Sequence, residues 1–241
     1  MNFKKTGHIL KKAFVILFFA HLLYIVILKW VDPPITITQF VSWVSGNGLK
    51  RDYVRWKDIS SNAPLAIMSS EDQLFPVHNG FDWKSIEKAI EYNDRKKASI
   101  VRGGSTISQQ VAKNVFLWQG RSWTRKGLEA YFTFMIEKIW GKKRILEVYM
   151  NVAEMGIGTF GIEAASRRYF KKSCKYLTQR EASLIAANLP NPKKYKVNPP
   201  SSYMERRSAW IITQMVYLRN DDDIDMLLKG KSLKKEKGYS H

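Results

Sequence analysis

The chain of 241 residues has one cysteine, Cys174, and four scattered histidines, His8, His21, His78 and His241. A lone thiol excludes an internal disulfide framework and a cysteine-based zinc cluster, and the histidine spacing provides no His-pair metal site. There is no Gly-rich phosphate loop of the dinucleotide or Walker type, so a nucleotide-bound donor is not indicated. No internal repeat is visible, which sets a solenoid aside. Acidic residues are scarce: 21 Asp and Glu stand against 40 Lys and Arg, a formal net charge of +19. With 45% hydrophobic and 13% aromatic residues, the chain is too rich in core-forming side chains for a disordered tail, and it is too basic for an average soluble enzyme. Its length suits one domain of about 200 residues plus an appendage.

The first 30 residues contain five lysines and no acid, and Ala13 to Leu28 forms an apolar run of 16 residues between Lys11-Lys12 and Lys29-Trp30. At about 1.5 Å per residue the run falls short of a full bilayer, but snorkelling lysines and an interfacial Trp30 extend it. A buried core helix and a cleavable signal peptide are the competing readings; no small-x-small cleavage pattern follows, so an uncleaved anchor is expected. Four lysines precede the run and place the N-terminus in the cytoplasm. The remaining 211 residues, with 35 basic and 21 acidic side chains, then lie outside. Such a surface suits anionic lipid head groups or phosphates, and the anchor argues against nucleic acid.

Asp32-Pro33-Pro34 closes the anchor, and Ile35 to Gly48 is amphipathic or skims a membrane. From Ser61 onward helix signals dominate. Asn62-Ala63-Pro64 resembles a helix start. Thr106 with Gln109, Thr178 with Glu181 and Ser202 with Glu205 fit capping boxes. Leu128, Phe132, Met135, Ile136 and Ile139 form a core-facing stripe. Alternating strand patterns are scarce, so the domain is expected to be mainly α. Pro190, Pro192, Pro199 and Pro200 require an extended loop. The acidic triplet from Asp221 reads as a solvated charge run at the head of a frayed tail rather than a metal ligand set. Residues 84–102 are polar and basic, which points to mobility, with a solvated helix as the alternative.

Three stretches put polar, charged and Gly residues where a helical core does not need them. In the first, from Glu71 to Asp82, the adjacent carboxylates Glu71 and Asp72 repel each other, and partial burial raises a carboxyl toward the working range of a general base. An ordinary helix end and turn, with Asp82 capping the next helix, also accounts for it. In the second, Gly103-Gly104 precede a helix start that carries Ser105, Thr106, Gln109, Gln110 and Lys113, a pattern suited to an anion and equally open to a plain capped helix. In the third, Arg125 and Lys126 lie four and three residues before Glu129, a spacing that also fits a surface ion pair. Together the stretches offer two acids and several cations, as a reaction with a general base and a phosphate leaving group requires.

At these residues the sequence resembles the peptidoglycan glycosyltransferases, family 51 of the glycosyltransferases, and in particular their monofunctional Gram-negative members. EDQLFPVHNGFD matches the family block EDxxFxxHxGxD at every specified position, and GGSTISQQVAKN matches GGSTITQQxxKN with Ser108 in place of Thr. RKGLEA and KKRILEVYMN match the third and fourth blocks, the latter with Met150 where Leu is usual, and LPNPKKYKVNP resembles the fifth. The likeness runs from about Trp56 to Met215.

The resemblance implies a lysozyme-like helical lobe with a smaller membrane-facing jaw, preceded by one transmembrane helix, and lipid II and the growing glycan chain as substrates. It implies a cytoplasmic N-terminus over 1–12, an anchor over 13–30, a membrane-proximal linker over 31–55, a glycosyltransferase domain over 56–219 and a charged tail over 220–241, with no transpeptidase domain to follow. It places the chain in the bacterial inner membrane with its catalytic domain in the periplasm, beside membrane lipid and other cell-wall synthesis proteins. By resemblance, Glu71 is the general base and Glu129 the second essential acid. Lys113 and Arg121 hold the pyrophosphate with help from Lys126. Ser105, Thr106, Gln109, Gln110 and Asn191 are weaker substrate contacts, and Asp72, His78 and Asp82 brace the site. No cofactor is required, although a divalent Mg or Mn ion at Glu129 stays open. Two other classes compete: a lysozyme-like glycan-cleaving enzyme, and a non-catalytic membrane scaffold that leaves Glu71 and the Gly-Gly-Ser-Thr block without a reason.

Overall fold

The computed structural model describes residues 3–96, 104–120 and 122–229, which are mainly α, with eleven helices. The core is built round α3 (Asn62–Glu71), whose residues from Ala63 to Ser69 are all buried. A helix apolar on every side belongs at the centre of a lobe. It packs against α9 (Gln179–Asn188) and α10 (Ser202–Leu218), while α5 (Ile107–Phe116) packs on α6 (Trp123–Ile139) and α7 (Lys142–Val152). Leu65, Met68, Phe75, Val111, Leu146 and Ile185 join the two groups in one apolar cluster. α8 (Ile162–Phe170) adds Ile162 and Ala165 to the cluster, and around it lie α4 (Trp83–Lys96) and a small sheet of β1 (Lys50–Arg51), β2 (Glu154–Gly156) and β3 (Thr159–Phe160), in the order β1-β3-β2. β1 runs parallel to β3 and β2 antiparallel to it.

The expected helix starts are mostly present. α3 begins at Asn62, and the boxes at Thr106 and Thr178 are closed on both sides. At the third the cap shifts by one residue: Ser201 accepts the N–H of Met204, Ser202 becomes the first helical residue, and Glu205 pairs instead with Arg180. On α6 Ile136 is buried and Phe132, Met135 and Ile139 pack on the core, but Leu128 is exposed, a turn beyond the contact. The polar stretch after Asp82 is helical as far as Lys96, and residues 97–103 lie outside the described residues. The frayed tail is corrected at its start: Asp221 accepts N–H groups from Asp223 and Ile224 and caps α11 (Asp222–Leu228), whose Ile224 and Leu227 are buried. Residues 230–241 lie outside the described residues.

The N-terminal apolar run forms α1 (Phe3–Ile27). Among the described residues no helix is long and apolar enough to cross a membrane. The last turn of α1 and the residues just after it pack on the lobe: Ile25 and Leu28 are buried, Trp140 donates its indole N–H to the Ile25 carbonyl at 2.8 Å, and Arg144 donates to the carbonyls of Leu28 and Val31. Beyond it α2 (Ile37–Val44), capped by Thr36 and Gln39, exposes Ile37, Phe40, Val41, Trp43 and Val44.

Candidate active site

α3 stops at Glu71 because Asp72 leaves helical geometry while still donating its N–H to Met68. The turn that follows folds over the start of α5. Asp72, buried, accepts the Nε2–H of His78 at 2.9 Å and the backbone N–H of Ile107 at 2.9 Å. The N–H of Gly80 occupies His78 Nδ1 at 3.0 Å, which leaves the ring proton on Nε2, facing the carboxylate. Gly80 has φ +90°, and a Cβ there would stand 2.8 Å from Thr133 Cγ2, so only glycine fits this corner. Its carbonyl accepts the Thr106 hydroxyl at 2.7 Å. Asp82 caps α4 through the N–H and hydroxyl of Ser85. Asp72, His78 and Asp82 thus tie the first block to α4 and α5 and frame Glu71.

Glu71 is partly buried beside an open cleft of about 450 Å³ whose lining includes Asp72, Asp82, Ser105, Thr106 and Trp210. Gln110 Nε2 donates to its Oε2 at 2.9 Å, and the Ser70 hydroxyl faces its Oε1 at 3.3 Å. Burial pushes the carboxyl above its ordinary value; hydrogen bonds from Gln110 and Ser70 and the charge of Arg207 pull it back, and Asp72 pushes it up again. Loss of solvation outweighs the rest, which makes Glu71 a stronger proton acceptor than an exposed glutamate.

The cations gather on the neighbouring helices. Glu129 on α6 is buried, and its two oxygens are taken by Arg125 Nη1 at 2.6 Å and Lys126 Nζ at 2.5 Å. This is no surface ion pair, since Arg125 is buried as well; only Lys126 stays half exposed. Lys113 on α5 joins the two acids. Burial lowers its pKa, Glu129 raises it, Arg125 and Lys126 lower it further, and Glu71 raises it. It therefore stands within electrostatic reach of both carboxylates. A proton acceptor and a cluster of fixed positive charge share one region of the lobe.

The other expected contacts divide. Gln110 reaches Glu71, and Ser105 lines the cleft. Thr106 and Gln109 are buried and engaged in the α5 capping box, although Thr106 also borders the cleft. Ser108 donates to Glu137, which also pairs with Lys142. Asn191 is exposed on the loop after α9, where its carbonyl accepts the N–H groups of Lys194 and Tyr195, and it is not among the residues lining the cleft. Arg121 lies outside the described residues. Two side chains close to Glu71 escape sequence reasoning. Tyr149 of α7 donates to Gln110 Oε1 at 3.2 Å and so fixes which face of the amide meets Glu71. Arg207 of α10 donates to Ser70 Oγ at 3.3 Å. Only an uncommon polar residue on a core-facing helix marks either of them, and sequence spacing cannot pair it with Glu71.

Both Glu129 oxygens already accept from cations, so a divalent ion at this carboxylate would have to displace Arg125 or Lys126.

The sequence matches the family model described as Transglycosylase over residues 38–216, which encloses Glu71, Lys113, Glu129 and Arg207. The chain belongs to the transglycosylase family. It is 59% identical over 164 residues to the biosynthetic peptidoglycan transglycosylase of Mannheimia succiniciproducens, covering 68% of this chain and 66% of that protein. It is 50% identical over 208 residues to the protein of the same name from Shewanella oneidensis, covering 83% and 86%. With that of Escherichia coli strain ATCC 8739 it shares 54% identity over 183 residues, 75% of each chain. In this transglycosylase the matched region runs from α2 into α10, so Glu71, the groups that contact it and the cations near Glu129 all fall inside it.

Proposed function

We propose that this transglycosylase polymerises lipid II into linear β-1,4 glycan chains and releases undecaprenyl pyrophosphate. The reading is carried by Glu71 lining the cleft and by Lys113 on the neighbouring α5, whose charge couples both to Glu71 and to Glu129, Arg125 and Lys126. A glycosidase works with a pair of carboxyl groups and has no use for a cation cluster; a transfer that expels a pyrophosphate needs a base and fixed positive charge.

Glu71 takes the proton from the 4-hydroxyl of the acceptor N-acetylglucosamine as that oxygen attacks the donor's anomeric carbon. The bond from that carbon to the phosphate oxygen breaks, its electron pair leaves with undecaprenyl pyrophosphate, and a single displacement inverts α to β. Charge grows on the pyrophosphate as the bond stretches, so the cations Lys113 and Lys126, joined by Arg121 as the sequence resemblance implies, stabilise the transition state more than the bound substrate. Glu129 holds Arg125 and Lys126 in place. Ser105 and Gln110 contact sugar, while Thr106 and Gln109 hold the start of α5 in place behind them.

The chain is further proposed to sit in the bacterial inner membrane with α1 as a single-pass anchor, its N-terminus in the cytoplasm and the catalytic lobe in the periplasm. The apolar run in α1, the lysines before it and the exposed Trp30, Phe40 and Trp43 support this placement.

Purified full-length chain in lipid vesicles containing lipid II is expected to yield long uncrosslinked glycan. Glu71→Gln lowers the rate by at least about a hundredfold while the circular dichroism spectrum is kept; normal polymerisation by that variant refutes the base. Chelation of divalent ions leaves the rate of the wild type largely intact. Cleavage of mature wall fragments without reaction on lipid II favours the hydrolase instead.

A further inference from the structure

Beside Glu71 stands one charged group that the proposed steps leave unused. Arg207 projects from α10, a helix packed on α3, and its Nη2 donates to Ser70 Oγ at 3.3 Å. The Ser70 hydroxyl is shared between Glu71 Oε1 and the Ala186 carbonyl, each at 3.3 Å. The guanidinium carbon lies 5.9 Å from the centre of the Trp210 ring, and Trp210 lines the cleft. Arg207 Nε is buried with no hydrogen-bond partner. The guanidinium thus stands one hydroxyl away from Glu71.

We propose that Arg207 is a positioning residue for the reaction: acting through Ser70 and not on substrate, it holds Glu71 as an ionised, correctly turned carboxylate ready for the next acceptor. This rests on Glu71 being the base. The groups that face Glu71 leave room for such a role. Asp72, next in the chain, opposes ionisation, as does burial. From α5 come the Gln110 amide and the Lys113 ammonium, the latter also committed to Glu129. From α7 comes Tyr149, which donates to Gln110, and from α9 the Ala186 carbonyl, which competes for the Ser70 hydroxyl. Arg207 is the cation that favours the charged form of Glu71 most strongly. Its link through a hydroxyl explains why Ser70 turns toward both partners.

The experiment measures initial rates of lipid II polymerisation by the full-length chain from about pH 5 to about pH 9 for wild type, Arg207→Gln, Arg207→Lys, Ser70→Ala and Glu71→Gln. Arg207→Gln is expected to lose about tenfold at the acid end relative to its own alkaline plateau, where Glu71 ionises unaided, with the KM for lipid II unchanged. Arg207→Lys keeps the charge and follows the wild-type profile. Ser70→Ala, which cuts the link and leaves both charges, loses rate at the acid end in the same direction by less, and it decides the matter should Arg207→Gln fail to fold. A uniformly lower rate with a wild-type pH profile in Arg207→Gln and Ser70→Ala overturns the proposal, as does a raised KM at unchanged kcat, which marks a substrate contact. If Glu71→Gln itself polymerises normally, the base reading falls; if it is inactive while Arg207→Gln keeps the wild-type profile, only the role of Arg207 falls.

Discussion

The base role proposed for Glu71 favours a carboxyl that binds a proton more tightly than water-exposed glutamates do, and partial burial supplies this property at a cost in stability. Its proton affinity is raised in the folded chain, so the folded state keeps a proton that the unfolded state has lost. Folding stability therefore falls as pH rises from the ordinary glutamate value of about 4.3 through the raised folded value. Glu71→Gln cannot ionise and escapes the loss. The melting temperature of the variant minus that of the wild type is expected to increase with pH across that window, and a difference that stays flat contradicts the raised affinity. At His78 the expectation reverses: His78→Ala leaves Asp72 short of a donor and is expected to cost about 1–3 kcal/mol in urea unfolding, because the carboxylate is buried. Residue identity made Glu71, Lys113 and Glu129 legible in the sequence, since acids and cations are conspicuous among apolar neighbours. Arg207 and Tyr149 were not, because their meaning depends on which helices pack together.

Whole elements read more easily at their beginnings than at their interiors. Hydroxyl residues followed by Gln or Glu announced α5 and α9, because a cap is a local exchange of hydrogen bonds and needs no tertiary partner. The same rule missed by one residue at α10, where two adjacent serines can each cap and packing selects Ser201. It missed α11 altogether, since an acidic run looks solvated until Ile224 and Leu227 find the core. Thr106 serves two elements, capping α5 and holding the Gly80 carbonyl. Thr106→Ala is thus expected to cost about 2 kcal/mol, at the upper end for a cap, in thermal unfolding. Gly80→Ala is expected to exceed it, because the added methyl meets both a left-handed backbone and Thr133. Equal melting temperatures for the two variants and the wild type would show the turn to be dispensable.

At the scale of the molecule, the lipid-borne substrate and membrane anchor proposed above would require the cleft to stay at a fixed height above the bilayer, and α1 is joined to the lobe in a way that could keep it there. Arg144 on α7 reaches the Leu28 and Val31 carbonyls and also pairs with Asp32 and Glu147. Trp140 and Tyr131 add contacts to Ile25 and His21. The sequence displayed the apolar run, but the arginine that grips its end lies more than a hundred residues away, where no local pattern could reveal it. Arg144→Ala removes the donors from two helix-end carbonyls and frees α1 to swing. Two activity measurements separate this effect from simple loss of stability. With lipid II embedded in vesicles the variant is expected to slow several-fold, because the cleft no longer sits at the level of the pyrophosphate; with a short-chain, detergent-soluble lipid II analogue it is expected to match the wild type. Equal slowing on both substrates would mean that Arg144 supports the lobe itself, through its pairing with Glu147 on α7, and that the attachment of α1 contributes nothing to reaching the membrane.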